Sequence, residues 1–437
     1  MNSSLPLPPG SSGWPLVGEA AGIAANPFGF MASRAAQHGP VARSRLLDRD
    51  LAILSGPDAA AAFLDEANVE RAGGLPPHAA ALFGAGVSNQ LDGAAHRARK
   101  QHLMRALDHE ALAHYLPTMR AIVRERLASW GARGELDLQE DAILLTQKLN
   151  LATLAGATPD EAALARYAKG YADFGKALFG LPIAFPGSPL RRARAFTAEM
   201  HAWFSELVEA RKNTPTGDGI SRLLASEVDG SRMGAADIVL ELHHLLFAGG
   251  GLWSWFCFGT RALAEDEALA TSLRAAVASL PAEPTGRALL ESAELAAFVR
   301  EVKRLAPLIP ITAMGVSRRD FEVAGHRVPK GWLVLWATCA SHTVPSVAPY
   351  ASPDRFDPSR YARGEGEGAH HYAPQGPGEA LTSHRCAGVE YSTLACLVFF
   401  SELLRGPRVS LPSQDTTLDF STLPARYRRG LRVRFGG

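Results

Sequence analysis

The chain of 437 residues is short of cysteine, of net charge and of long apolar runs. Its four cysteines, at 257, 339, 386 and 396, form no CxxC pair, so a zinc or iron–sulfur site has too few ligands. So few thiols, after a start too rich in proline (Leu5-Pro6-Leu7-Pro8-Pro9-Gly10) to read as a signal peptide, predict a reducing, cytoplasmic setting. No run of eighteen apolar residues occurs, which argues against a membrane span. Lys+Arg (45) and Asp+Glu (44) balance, and no charge block exists, so a nucleic-acid partner is not expected. No repeat or low-complexity linker divides the chain. Length and composition leave one large domain or two or three ordinary ones open, and the proline-rich start reads as a loose strap.

What is present is mostly helical periodicity. Apolar positions recur at three- and four-residue spacing over 94–110, 111–132, 138–156, 159–178, 190–212, 235–265, 288–306 and 388–405. Strand-like alternation is confined to 51–54, 321–328, 333–336 and 431–434. The fold class is mainly α with a small β-rich subdomain. The segment 235–265, apolar nearly all round, predicts one long buried central helix.

Chemistry enters at Cys386. It follows the glycine-rich run Pro374-Gln375-Gly376-Pro377-Gly378 and sits in His384-Arg385-Cys386-Ala387-Gly388, just before an apolar stretch through Phe400. A cysteine at a tight turn before a helix has backbone N–H groups to stabilise its thiolate, and nearby glycines admit a flat cofactor. That is the setting of a thiolate on haem iron, which favours O–O cleavage. The other three cysteines lie in apolar runs and read as structural thiols.

Glu301 and Arg304 stand three apart on a predicted helix and share a face. The segment Pro353-Asp354-Arg355-Phe356-Asp357-Pro358-Ser359-Arg360 offers Arg360 to a buried arginine–carboxylate network. Glu301-x-x-Arg304, the Pro353/Phe356/Arg360 segment and the Cys386 loop, in that order, resemble the cytochrome P450 family over essentially the whole chain. The resemblance implies the P450 fold as a single domain over 1–437, with residues 1–20 as an N-terminal strap, haem b with Cys386 as iron ligand, residues 235–265 as the helix covering the haem, and residues 374–400 as the cysteine loop and following helix. Gln375, Gly376, His384, Arg385 and Gly388 then line the cofactor. The long loop, the segment Phe83-Gly84 to His96, and Asp419-Phe420 to Leu423-Pro424 are similar to the bacterial fatty-acid peroxygenases, which use hydrogen peroxide directly. In that group His96 and Lys100, with Arg99 beside them, bring cations to a haem propionate. A solvated basic face is the other reading of that helix.

Two departures matter. Most P450 monooxygenases carry an acid and hydroxyls after the small residues of the central helix. Here Ala248-Gly249-Gly250-Gly251-Leu252-Trp253 keeps the small residues and lacks the rest. Activation of O₂ consumes two electrons and two protons, so losing those groups argues against the ordinary route. The peroxygenases instead hold a substrate carboxylate with an arginine followed by proline. Gapless matching puts Phe247 and Ala248 there. The second departure is Gly315, in place of a propionate-binding arginine, with Arg318 or Arg319 as possible substitutes. His244 shares a helical stripe with Ala248 and Leu252, and is either a proton shuttle or substrate contact, or a satisfied buried histidine. Asn89, Phe247, Leu252, Trp253 and Pro310 are the expected substrate-facing residues.

The leading expectation is a haem-thiolate oxidoreductase acting on a lipophilic or aromatic biosynthetic small molecule. Its oxidant would be peroxide or an O–O or N–O bond of the substrate, giving rearrangement, cyclisation, dehydration or oxygen insertion. An electron-fed monooxygenase with a redox partner, and a non-catalytic haem-binding or gas-sensing protein, are the alternatives.

Overall fold

The computed structural model describes residues 5–180 and 182–436, so residues 1–4 of the expected strap lie outside them. The chain divides into two compact units. One holds the residues up to Ala81, Ser88–Lys100 and Lys303–Cys386; the other holds Leu82–Val87, Gln101–Val302 and the chain from Ala387 on.

The first unit is built on a five-stranded sheet in the order Val41–Leu46, Arg49–Leu54, Leu333–Trp336, Ala313–Ser317, Val69–Glu70. All pairings are antiparallel except that of Leu333–Trp336 with Arg49–Leu54, where Leu333 lies opposite Leu51. Every residue of Leu333–Trp336 is buried, as a central strand covered on both faces requires. Val41, Ala52, Leu54, Val334 and Trp336 form a core with Phe63 of the helix Pro57–Leu64. Emptying the Phe63 site to alanine would cost about 3–5 kcal/mol. The strap is docked on this unit, where the Arg43 and Arg327 amides donate to the Pro9 and Pro6 carbonyls at 2.7 and 2.9 Å. The stretch 321–328 is a hairpin, Phe321–Val323 against His326–Val328, and not a single strand. It turns at Ala324 and Gly325, both at positive φ, which glycine adopts without strain.

The second unit is helical. Asp108, Asp160 and Ser188 cap His109–Arg133, Glu161–Leu178 and Pro189–Asn213, each side chain accepting from a first-turn amide. Val389–Arg405 is buried along most of its length; Phe399 stacks on Phe256 at 4.3 Å. Phe400 packs where Gly259 has no side chain, a Cβ there lying 2.2 Å from the ring. A small sheet joins Glu135–Asp137, Arg432–Phe435 and Val409–Ser410.

Periodicity located most helices but not their interruptions. The central segment 235–265 is two helices, Ala235–Gly249 and Leu252–Glu265. At the break the Gly250 amide reaches back only three residues, to Phe247 O at 3.1 Å. Consecutive glycines weaken a helix interior by about 1 kcal/mol each. Nor is this segment apolar throughout, since Glu241 and His243 are fully buried on it. The stretch 288–306 likewise divides into Gly286–Glu291 and Ala293–Leu305, and 138–156 ends in a π-helical turn, Leu151–Ala155. No helix among the described residues is long and apolar enough to cross a membrane.

Candidate active site

Cys386 is the one cysteine with access to solvent; Cys257, Cys339 and Cys396 are buried. Burial pushes the Cys339 thiol up to about 12 and the Cys257 thiol well up, which keeps them inert at neutral pH. The Cys386 loop closes on itself. The Cys386 amide donates to Gln375 O at 3.1 Å, and Gln375 Nε2 lies 3.7 Å from Cys386 Sγ. Gly376 and Gly378 sit at φ +98° and +102°, and a Cβ on Gly378 would lie 2.4 Å from Ser383 Oγ. The turn therefore needs glycine at both positions. Gly388 holds the N-cap position of Val389–Arg405, in the second unit.

The helix Gly93–Arg105 supplies the neighbours of this loop. Lys100 is buried and its Nζ donates to Ser383 O at 3.0 Å and to Arg385 O. His96, also buried, stacks on His384 with ring centroids 3.7 Å apart. Burial, then the Lys100 and Arg71 charges, pull His96 down to about 4, and His384 is pulled well down by burial, Arg71, His96 and Lys100. Lys100 is lowered to about 8, chiefly by burial, and is still mostly protonated at neutral pH. Arg99 is half-buried on the same helix.

Sequence reasoning missed Arg71. Its backbone N–H and that of Ala72 donate to the Asp92 carboxylate at 2.8 Å, its guanidinium lies over the Phe63 ring at 4.4 Å, and Nη1 donates to Met314 O at 3.3 Å. Gly315 is next in that strand, and a Cβ on it would lie 2.3 Å from Glu70 O. The strand leading to Arg71 therefore takes the room a side chain at 315 would need, and Arg71 brings a half-buried guanidinium to the same place. The suggested substitutes are committed elsewhere: Arg318 pairs with Glu70 at 2.8 Å, and Arg319 with Asn68 at 3.0 Å and Asp65 at 3.4 Å. Only the pairing of Val69–Glu70 with Ala313–Ser317, invisible in sequence, could have pointed to Arg71.

Arg304 and Arg360 are fully buried, as is Glu301. Arg304 donates to the carbonyls of His342 and Pro353 at 2.5 Å and of Arg355 at 3.0 Å. Arg360 donates to Glu365 at 2.7 Å, Ala351 O at 3.0 Å and Arg355 O at 3.1 Å. Both guanidinium groups lie over the Tyr350 ring, at 4.9 and 5.5 Å. Pro310, expected to face substrate, is buried and its carbonyl accepts from the Cys339 amide at 3.2 Å. Asn89 Oδ1 is buried with no partner among the described residues.

On the central helix of the second unit, Ala248 is exposed and Phe247 half-buried, in a helix otherwise largely covered. Phe247 meets Phe174 at 4.7 Å and Phe83 at 5.7 Å, a wall of aromatic rings where an arginine would bind a carboxylate. Leu252 and Trp253 are buried, the indole carrying Arg426 over its ring at 5.6 Å. The break after Gly249 interrupts the stripe of His244, Ala248 and Leu252. His244 Nδ1 lies 3.2 Å from Glu241 Oε2, and its ring meets Phe83 edge-on at 5.4 Å. The preceding residue, His243, is the anomalous one. It is fully buried, and neither ring nitrogen has a partner among the described residues.

Among the described residues no cluster of three or more His, Cys, Asp or Glu is placed to hold a bare metal ion. The accessible thiol on its glycine turn offers one ligand to a metal held in a cofactor. Buried Lys100 and half-buried Arg71 suit a cofactor bearing carboxylates. A haem-thiolate protein is the class these residues define. The family model described as Cytochrome P450 matches residues 172–426, and the chain belongs to that family. Human cytochrome P450 26C1 is 29% identical, the alignment covering 94% of this chain and 84% of the relative. Retinoic-acid-bound cyanobacterial CYP120A1 superposes with a TM-score of 0.87 at 26% identity, over 99% of each chain. Cytochrome P450SP alpha in complex with (R)-ibuprofen gives 0.79 at 26%, over 95% of this chain and 98% of that one. Likeness to the peroxygenase group is real and is not exclusive. The protein is a P450 enzyme whose family uses haem with cysteine-ligated iron, which sets aside the non-catalytic alternative.

Proposed function

We propose that this P450 oxidises a lipophilic or aromatic small molecule using peroxide, or an O–O or N–O bond carried by the substrate, with Cys386 as the thiolate ligand. The carrying observation is the central helix: residues 251–253 are Gly, Leu and Trp, with the last two buried, so this stretch offers no acid or hydroxyl. Bound haem supplies a thiolate-ligated iron at which an O–O or N–O bond is cleaved. Gln375 Nε2 donates to the Cys386 sulfur, and His96, Lys100 and Arg71 would hold the carboxylates of the haem. Phe83, Phe174 and Phe247 give an apolar wall that orients a hydrocarbon or aromatic body without binding a charged end. Retinoic acid and ibuprofen, named for two relatives, each join a lipophilic body to a carboxylate; the wall would meet the body and offers the carboxylate no cation.

Side-by-side turnover with hydrogen peroxide alone and with NADPH plus a ferredoxin or flavodoxin reductase tests this reading. The substrate is chosen as a compound that converts the ferric haem from low to high spin. Product with peroxide alone supports it; product that requires NADPH and O₂ shows an electron-fed monooxygenase instead.

A further inference from the structure

On the first unit, exposed apolar side chains stand together on two adjoining turns. Trp14 and Leu16 are 77% and 84% exposed, and Val17 and Leu47 are exposed beside them. In the strap, Trp14 and Gly18 exchange backbone hydrogen bonds at 3.0 and 2.9 Å, and inside that loop the Val17 amide donates to Pro15 O at 2.9 Å. Leu16 is thereby the centre of a three-residue turn at φ +68°, a rare and strained conformation for a residue with a side chain. Leu47, at the turn between Val41–Leu46 and Arg49–Leu54, stands at φ +56°. Its amide donates to Val17 O at 3.3 Å, which ties the two turns together. Glycine would adopt either conformation without strain. Leucine at both positions means strained backbone that holds apolar side chains out to solvent, and strain of this kind gathers at functional surfaces.

Val41–Leu46 is an edge strand, and the strap bridges it, Gly10 to Arg43 and Gly18 to Leu46. Its backbone is therefore taken up there, which leaves side chains to make a contact. The charges beside Leu47 indicate with what. Arg45 donates to the Leu47 and Asp48 carbonyls at 3.2 and 3.4 Å and meets no carboxylate among the described residues. Asp48 is exposed, and among the described residues no cation pairs with its carboxylate. The neighbouring charges are committed, Arg43 to Asp50 at 3.2 Å and Glu19 to Arg34 and Ser44. One available guanidinium and one available carboxylate thus flank a single exposed leucine. An anionic lipid surface would repel Asp48. A second copy turned about a two-fold axis beside Leu47 sets Arg45 of each copy against Asp48 of the other, and closes the apolar patch at the same time.

We propose that the turns at 14–18 and 46–49 form the contact of a two-fold homodimer, with reciprocal Arg45–Asp48 pairs at its rim. The contact is small, so the dimer is weak and forms at high concentration. It is independent of the oxidant.

Sedimentation velocity of the haem-loaded protein over a range of concentrations is the test. Wild type should pass from monomer to dimer as concentration rises. Asp48→Lys and Arg45→Glu should each weaken association about tenfold or more, because like charges then face each other across the axis. An equimolar mixture of these two variants should recover it, since a mixed pair restores opposite charges at both contacts. Leu47→Gly should weaken the dimer about tenfold and leave the melting temperature of the dilute monomer unchanged or higher, because glycine relieves the strained turn. A lower melting temperature would assign Leu47 to the fold and count against the dimer. Monomer at every concentration up to about 1 mM, or a mixture as monomeric as its components, overturns the proposal. A monomer that binds phosphatidylcholine or phosphatidylserine vesicles, and loses them in Leu16→Gly, overturns it in favour of a lipid surface.

Discussion

The cysteine loop and the central helix differ in how fully their polar groups are used. Around Cys386 the loop amides, Lys100, Arg304 and Arg360 each have named partners, and the glycines are demanded by positive φ. Along the central helix and the helices packed with it, Asn150, Gln147, His243, His201 and Tyr171 keep buried polar atoms without partners among the described residues. The first region answers to a cofactor that is the same throughout a family. The second is where the proposed function places the substrate and its oxidant.

The largest expected effect falls on the cofactor side. Cys386→Ser should abolish the reduced carbon-monoxide absorption band of thiolate-ligated haem, and with it turnover; an unchanged band would assign the ligand elsewhere. Arg304→Ala should destabilise the fold by about 3–5 kcal/mol, because buried carbonyls lose their donor. Denaturant melts of the purified variant measure this, and a loss below 1 kcal/mol would mean the arginine is replaceable.

Changes on the central helix should leave the fold intact and move chemistry instead. Phe247→Arg should raise peroxide-driven oxidation of a long-chain fatty acid about tenfold, the value of one charge-assisted hydrogen bond to its carboxylate. Product analysis checks this, and no gain would remove the carboxylate-anchor reasoning. The smallest effect at neutral pH concerns His243. Burial, then the His201 and His244 charges, lower its folded pKa to about 3 from 6.5. The unfolded chain therefore binds a proton that the folded one refuses. The stability from keeping the ring neutral is complete above about pH 6.5 and is lost as pH falls toward 3, by up to roughly 1.4 kcal/mol per unit. His243→Phe should flatten that slope in denaturation curves taken from pH 7 to pH 4; an unchanged slope would place the titration elsewhere.

The same contrast governs what could be read before the fold was known. Cys386, Arg304 and Arg360 stand in runs whose residue types suggest thiolate and buried-guanidinium chemistry, while Lys100 is singled out by the resemblance to a family. Arg71 escaped because its neighbourhood is made by strand pairing across some 240 residues of sequence. The central-helix break escaped because glycine does not interrupt an apolar pattern, and only the backbone shows the ladder tightening at Gly250. Asn150 and Gln147 carry no motif at all. Only the fold shows that each buries a polar atom without a partner among the described residues.

The central claim is that residues 251–253, not the thiolate, decide the oxidant. The most direct measurement is the ratio of NADPH-fed to peroxide-fed turnover in wild type and in the double variant Gly251→Asp, Leu252→Thr, which restores an acid and a hydroxyl. The account predicts a low ratio in wild type that rises at least about tenfold in the variant, a barrier change near 1.4 kcal/mol. A wild type already dependent on NADPH, or a ratio that does not move, would contradict it.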